Sequence, residues 1–376
     1  MYSQQELDDA VAAGAITSDS ANALRAFVAG QRNSTIVDEE QFRLITGFND
    51  IFVFIAGMIL LFAVAWIGQA LGAAINFDFD GNGPSPLSGL AVAATAWGLA
   101  SYFTAKRRMA LPSILFLFAF IGGLFTMVGF TLALVFEPTL QNGSNDALVA
   151  IFFGVAAAVS AGGAWLHWKR FKVPVTVAAG AVSAAGIIGA IVAAIFGPNV
   201  SGDALRDILL VTALVLGIGV FLFAMRWDMA DPSRVTRKSD VAFWLHLAAA
   251  PMIVHPVFAL LGLTGGSASV GEGLLVIVLY IALAGVALAI DRRAVLVSGL
   301  LYVLFALTRL FEEFGAVELN IALTAFVIGS ALLLLSAFWH EARRHVLKLL
   351  PAGLVSKLPD LHSVRQQASA VSPSQA

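Results

Sequence analysis

Ten stretches of mainly apolar residues recur along the chain, each separated from the next by a short polar break. They cover approximately 51–72, 87–105, 113–136, 147–168, 174–197, 205–225, 241–263, 272–290, 294–311 and 319–338. Runs of this length match the roughly 20 residues a helix needs to cross hydrocarbon. Inside lipid every backbone amide must find its partner within its own segment, so the runs are expected to be helices, not strands. The pattern predicts an all-α integral membrane bundle of about ten transmembrane helices over residues 49–338.

The flanks read differently. Residues 1–48 are polar and lack the short apolar run and small-residue cleavage site of a signal peptide, so the first span is expected to insert as an uncleaved anchor. Ser3 and Glu6 fit a capping box, Gly14 fits a helix stop, and Thr17 or Ser18 can cap a second helix to about Gly30. This predicts a cytoplasmic helical hairpin with a linker. Its small apolar face cannot form a core alone, so residues 3–30 should pack on a membrane-domain loop, a second copy or a cytosolic partner. At the other end, 339–358 reads as a basic amphipathic helix on the inner membrane surface. Trp339, Val346, Leu347, Leu349 and Leu350 are expected on one side and Arg343, Arg344 and Lys348 on the other. Residues 359–376, rich in Ser, Gln and Ala, read as a disordered tail.

Charge fixes a direction for the bundle. All of the 22 basic residues except Arg206 and Arg309 fall in the termini or the even-numbered loops. By the positive-inside rule both termini are cytoplasmic. The odd-numbered loops are acidic, with Asp78, Asp80, Glu137, Asp203 and Glu272 among them. Composition agrees with a membrane protein: 59% of residues are hydrophobic and 12% charged, against roughly a quarter charged in soluble domains. The net charge of −2 gives no reason to expect nucleic acid, and the absence of cysteine excludes disulfides and thiolate chemistry.

The segments GAITSDSANALRAF, DEEQFRLITGFNDIFVFIAG and SDVAFWLHLAAAP resemble a family of uncharacterised bacterial polytopic membrane proteins with a short N-terminal helical module. The resemblance implies an inner-membrane protein from a Gram-negative, alphaproteobacterial source. No catalytic residue comes with it.

A ten-helix chain with both ends inside would allow two inverted five-helix halves, as in many secondary transporters. The long inner loop 226–240 follows the sixth span, which weakens that division. The inner loops KRRMALPS and KRFKVPVT place Pro112 and Pro174 62 residues apart, a spacing that uniform helical hairpins also produce.

Few residues suggest chemistry. DFDGNG opens like a calcium loop, with Asp78, Asp80 and Asn82 at alternate positions, yet Gly89 stands where the bidentate Glu should be. A solvated turn and a weak cation site both remain open. In HEARRH the histidines are five apart, against the i, i+4 spacing of a zinc helix. Arg309, with Glu312 and Glu313 close behind, reads as an interfacial ion pair or a weak anion site. No metal or cofactor pattern and no enzymatic constellation emerges.

The seventh span concentrates the candidates. FWLHLAAAPMIVHP carries His246, Pro251, His255 and Pro256. Each proline removes an amide donor, which predicts a break with Pro251 near mid-membrane and an imidazole toward either side. The nine-residue separation puts the two histidines on opposite helix faces, against a shared metal. Two functions follow as expectations: a transporter or permease for a small neutral or weakly charged solute, or a membrane scaffold or envelope sensor whose N-terminal module binds a cytosolic partner. The second rests on the lack of a buried charged pathway in the sequence pattern.

Overall fold

The computed structural model describes residues 10–24, 48–79, 83–141, 146–231, 234, 236–263, 270–313, 319–355 and 358. The chain divides into two compact units, Met1–Phe42 and Arg43–Ala376. Of the first unit, Gly14 has φ of 70°, the left-handed geometry that ends a helix, and Thr17 Oγ1 accepts the Ser20 amide at 3.1 Å as a cap. Ser3 and Glu6, and the end of the second helix near Gly30, lie outside the described residues.

Among the described residues of the second unit the regular structure is helical throughout. Its longer helices are α1 (Phe48–Ala74), α2 (Pro86–Leu99), α3 (Ala110–Val135), α4 (Asp146–Phe171), α5 (Val175–Phe196), α6 (Gly202–Met229), α7 (Arg237–Leu260), α8 (Val270–Ile290), α9 (Ala294–Glu313), α10 (Asn320–Ala337) and α11 (Trp339–Leu349). Each of the ten apolar stretches lies on one of the first ten. Among the described residues seven helices are long and apolar enough to cross a membrane, and α10 with α11 forms an eighth candidate bent by 80°. The helix α2 is short, and a π-helical stretch at Ala100–Thr104 prolongs it.

The packing resembles that of helices in lipid. Large apolar side chains such as Phe52, Ile59, Phe62 and Trp66 of α1 point outward, while Gly57, Gly68 and Gly72 on the same helix are buried. With no hydrophobic gain between helices in hydrocarbon, small residues that let backbones approach provide the contact. At the α2–α3 crossing a Cβ on Gly89 would meet Met127 N at 2.5 Å, and one on Gly123 would meet Gly89 O at 2.7 Å. Nothing larger than glycine fits either place.

The connections α2–α3, α4–α5, α6–α7 and α8–α9 gather at one end. Trp97 of α2 rings with His167 and Phe171 of α4, and Val173 and Val175 pack with Leu117 and Trp244. Each of these connections contains a non-glycine residue with positive φ: Arg108 (54°), Lys172 (56°), Arg234 (53°) and Asp291 (57°).

Candidate functional site

The C-terminal end of α6, the start of α7 and the α8–α9 turn enclose a cluster of ionic groups. Asp228, in the last turn of α6, is 1% exposed, and so is Arg292, the largest fully buried side chain described. Arg292 donates through Nε at 3.2 Å and through Nη2 to the two Asp228 oxygens. The same Nη2 reaches Ser239 O at 3.2 Å and Ser239 Oγ at 3.0 Å. A fork of this kind uses both lone-pair directions of a carboxylate and fixes its orientation. His246 Nε2 lies 3.0 Å from Asp228 Oδ2, and since an ionised carboxylate only accepts, that nitrogen carries the proton. His246 Nδ1 is enclosed without a hydrogen-bond partner among the described residues, and Phe221 covers the ring edge-on at 5.1 Å.

Asp291, one residue before Arg292, serves a second cluster. Its Oδ1 accepts Trp339 Nε1 at 2.6 Å, and its Oδ2 accepts Arg234 Nη1 at 3.3 Å. Arg234 Nη2 also donates to the carbonyls of Asp291 and Ile290. Arg343 Nε donates to Leu288 O at 3.2 Å and stands 4.0 Å from Asp291 Oδ1. Arg293 lies over the Trp339 ring. Asp231 Oδ2 accepts the amide and hydroxyl of Thr236, whose Oγ1 caps α7. One three-residue turn, Asp291 to Arg293, thus ties α6, α7 and α11 together.

These residues correct several expectations. Arg234, Arg292 and Arg343 belong to the basic inner segments, yet their side chains are 2–5% exposed. Buried charge is therefore present, at one end of the bundle. Arg343 does not share the exposed side of α11 with Arg344. It sits one turn after Trp339, inward, whereas Leu349 is exposed. The reason is the spacing: Trp339, Arg343 and Val346 fall on one helix face.

The break expected in the seventh span does not occur. The helix α7 runs unbroken from Arg237 to Leu260 through both prolines. Pro251 and His255 face outward, while His246 and Pro256 are buried, so the two histidines lie on opposite faces. His255 Nδ1 meets Tyr302 Oη of α9 at 2.6 Å. Pro256 deprives Met252 O of its helical donor, and there Gly217 of α6 packs so closely that a Cβ would come within 2.9 Å of that oxygen.

The remaining candidates do not converge. Asp78 is buried in the α1–α2 connection, its Oδ2 without a hydrogen-bond partner among the described residues, and Asp80 and Asn82 lie outside the described residues. That connection is held by Gln69, which binds Gly83 O and the Ser85 amide at 2.8 and 2.7 Å. Arg309 is on α9, its side chain outside the described residues.

Between α3, α4, α5 and α7 lies a groove of about 570 Å³, lined by Phe118, Phe125, Val182, Trp244 and Leu247 with Thr126, Ser160 and Ser183. All three hydroxyls donate to backbone carbonyls: Thr126 to Gly122, Ser160 to Ile121 and Ser183 to Ala179. A Cβ on Gly122 would meet nothing within 4 Å. The site is apolar, and neither histidine of α7 lines it.

The chain matches no family model, no curated protein and no solved structure.

Proposed function

We propose that the chain is a ten-span protein of the bacterial inner membrane with both termini in the cytoplasm, and that it is transporter-like, handling a small apolar or amphipathic solute. The ten apolar stretches and the gathering of basic residues at the α2–α3, α4–α5, α6–α7 and α8–α9 turns support the topology. The groove between α3, α4, α5 and α7 carries the functional reading. Its volume falls within the roughly 300–1,000 Å³ of ligand sites, and no charged side chain lines it. A polar solute would find no spare donor there. The ionic cluster around Asp228 acts as the fixed end of α7, against which the rest of that helix borders the groove.

The test is photolabelling of the full-length protein in lipid nanodiscs with a diazirine-bearing octanol. Saturable labelling of the peptides that carry Gly122 and Ser183 is expected, with most of it lost in Gly122→Leu. Labelling that never saturates, or that survives the substitution, overturns the groove as a solute site. Transport further requires protein-dependent efflux of rhodamine 6G from proteoliposomes, diminished in the same variant.

A scaffold or envelope sensor that binds a cytosolic partner through residues 3–30 is the second reading. The closed packing around His246, which has no exposed surface, favours it.

A further inference from the structure

A second crevice, of about 650 Å³, lies between α6, α8 and α11. Phe221, Leu222, Met225 and Met229 form one wall, Gly285 and Val286 belong to another, and Val346, Leu349 and Leu350 close it from α11. It opens outward, because Leu222, Met229, Val286 and Leu349 are all exposed. We propose that this crevice holds an acyl chain of an anionic phospholipid of the adjoining leaflet, with Arg226 meeting its phosphate.

Three observations choose this occupant. Arg226 follows Leu222 by four residues and precedes Met229 by three, so it shares the face of α6 that walls the crevice. It is exposed and, unlike Arg234 and Arg292, makes no ion pair among the described residues. A guanidinium there offers a planar fork to a phosphate. Second, α11 turns 80° away from α10 and carries Arg344 and Lys348 on its exposed side, the layout of a helix lying at an anionic interface. Third, the chain that follows Leu358, itself a lining residue, is the polar segment 359–376, which suits an apolar crevice poorly. Met225 and Met229 give the wall the adaptability that a variable acyl chain requires.

The buried clusters explain why the crevice persists. Trp339 and Arg343 hold α11 to α8 and the turn that follows it through Asp291 and Leu288, with Val346, Leu349 and Leu350 along the crevice.

The experiment is native mass spectrometry of the full-length protein after exchange into detergent with equal dioleoylphosphatidylglycerol and dioleoylphosphatidylcholine. The wild type is expected to retain phosphatidylglycerol preferentially. A Cβ on Gly285 meets nothing within 4 Å, so Gly285→Leu should fill the crevice without a clash and lose the bound lipid. Arg226→Gln should keep a bound lipid but lose the headgroup preference. No preference in the wild type overturns the proposal, and so does lipid retained in Gly285→Leu. A crevice filled by residues 359–376 would show itself as no bound lipid in any form, which also overturns it. The groove at Gly122 is a separate cavity, so failure of the solute reading leaves this one standing.

Discussion

Asp291 and Arg292 are neighbours in sequence, yet their side chains enter different ionic clusters, one closing on Trp339 and Arg234, the other on Asp228 and Ser239. The positive φ of Asp291 turns the chain so that successive side chains diverge. For a non-glycine residue that conformation costs roughly 1–2 kcal/mol. Asp291→Gly would relieve the strain but drop three contacts, whereas Asp291→Asn keeps an oxygen for Trp339 and tolerates the same backbone. The expected order of stability is wild type, then Asn, then Gly. Tryptic cleavage after Arg343 or Arg344 in detergent reads it, since release of α11 exposes both bonds. A glycine variant as resistant as the wild type would mean that strain outweighs the ion pairs.

The Asp228–Arg292 pair is expected to behave as a buried pair whose halves are costly alone. Removing one partner leaves a desolvated charge, at about 3–5 kcal/mol. Asp228→Asn and Arg292→Met should each lower thermal stability strongly, and the double variant should recover much of the loss. Thermal unfolding of the four proteins in detergent forms a double-mutant cycle. Additive losses would show that the contact contributes nothing of its own.

Much of the fold was legible because membrane insertion imposes length and apolarity on each segment separately. The ten stretches could be read one at a time, and each lies on a helix. The ionic cluster was not legible in that way. Arg234, Arg292 and Arg343 look like any positive-inside residue, and topology rules treat them alike. The available signal was the acids interleaved on the basic side: Asp228, Asp231, Asp240 and Asp291 each stand near a helix end. Pairing them needs the tertiary fold, since Asp228 and Arg292 are 64 residues apart. The proline break failed for a similar reason. Whether a freed carbonyl distorts a helix depends on the neighbour, and Gly217 lies on another helix.

The two histidines of α7 should respond very differently to substitution. His246→Ala removes a donor from a buried carboxylate, a loss of about 1–3 kcal/mol, and leaves a hole beside Phe221. His255→Phe gives up a hydrogen bond to Tyr302 at an exposed position, about 0.5–1.5 kcal/mol. Thermal unfolding of the two variants side by side distinguishes them. Equal losses would contradict the placement of His255 on the outer face.

Glycines supply the last contrast, because two of them occupy opposite situations on comparable helices. A Cβ on Gly217 would stand 2.8 Å from the Met252 carbonyl carbon, and that contact is backbone, so α6 and α7 must part. Gly217→Ala is expected to cost about 1–3 kcal/mol through overpacking. A Cβ on Gly122 meets open space, so Gly122→Ala should be neutral or slightly stabilising, alanine being the better helix former by roughly 1 kcal/mol. If Gly217→Ala unfolds no earlier than Gly122→Ala in the same detergent, the close approach of α6 to the Met252 carbonyl is not what requires glycine at that crossing.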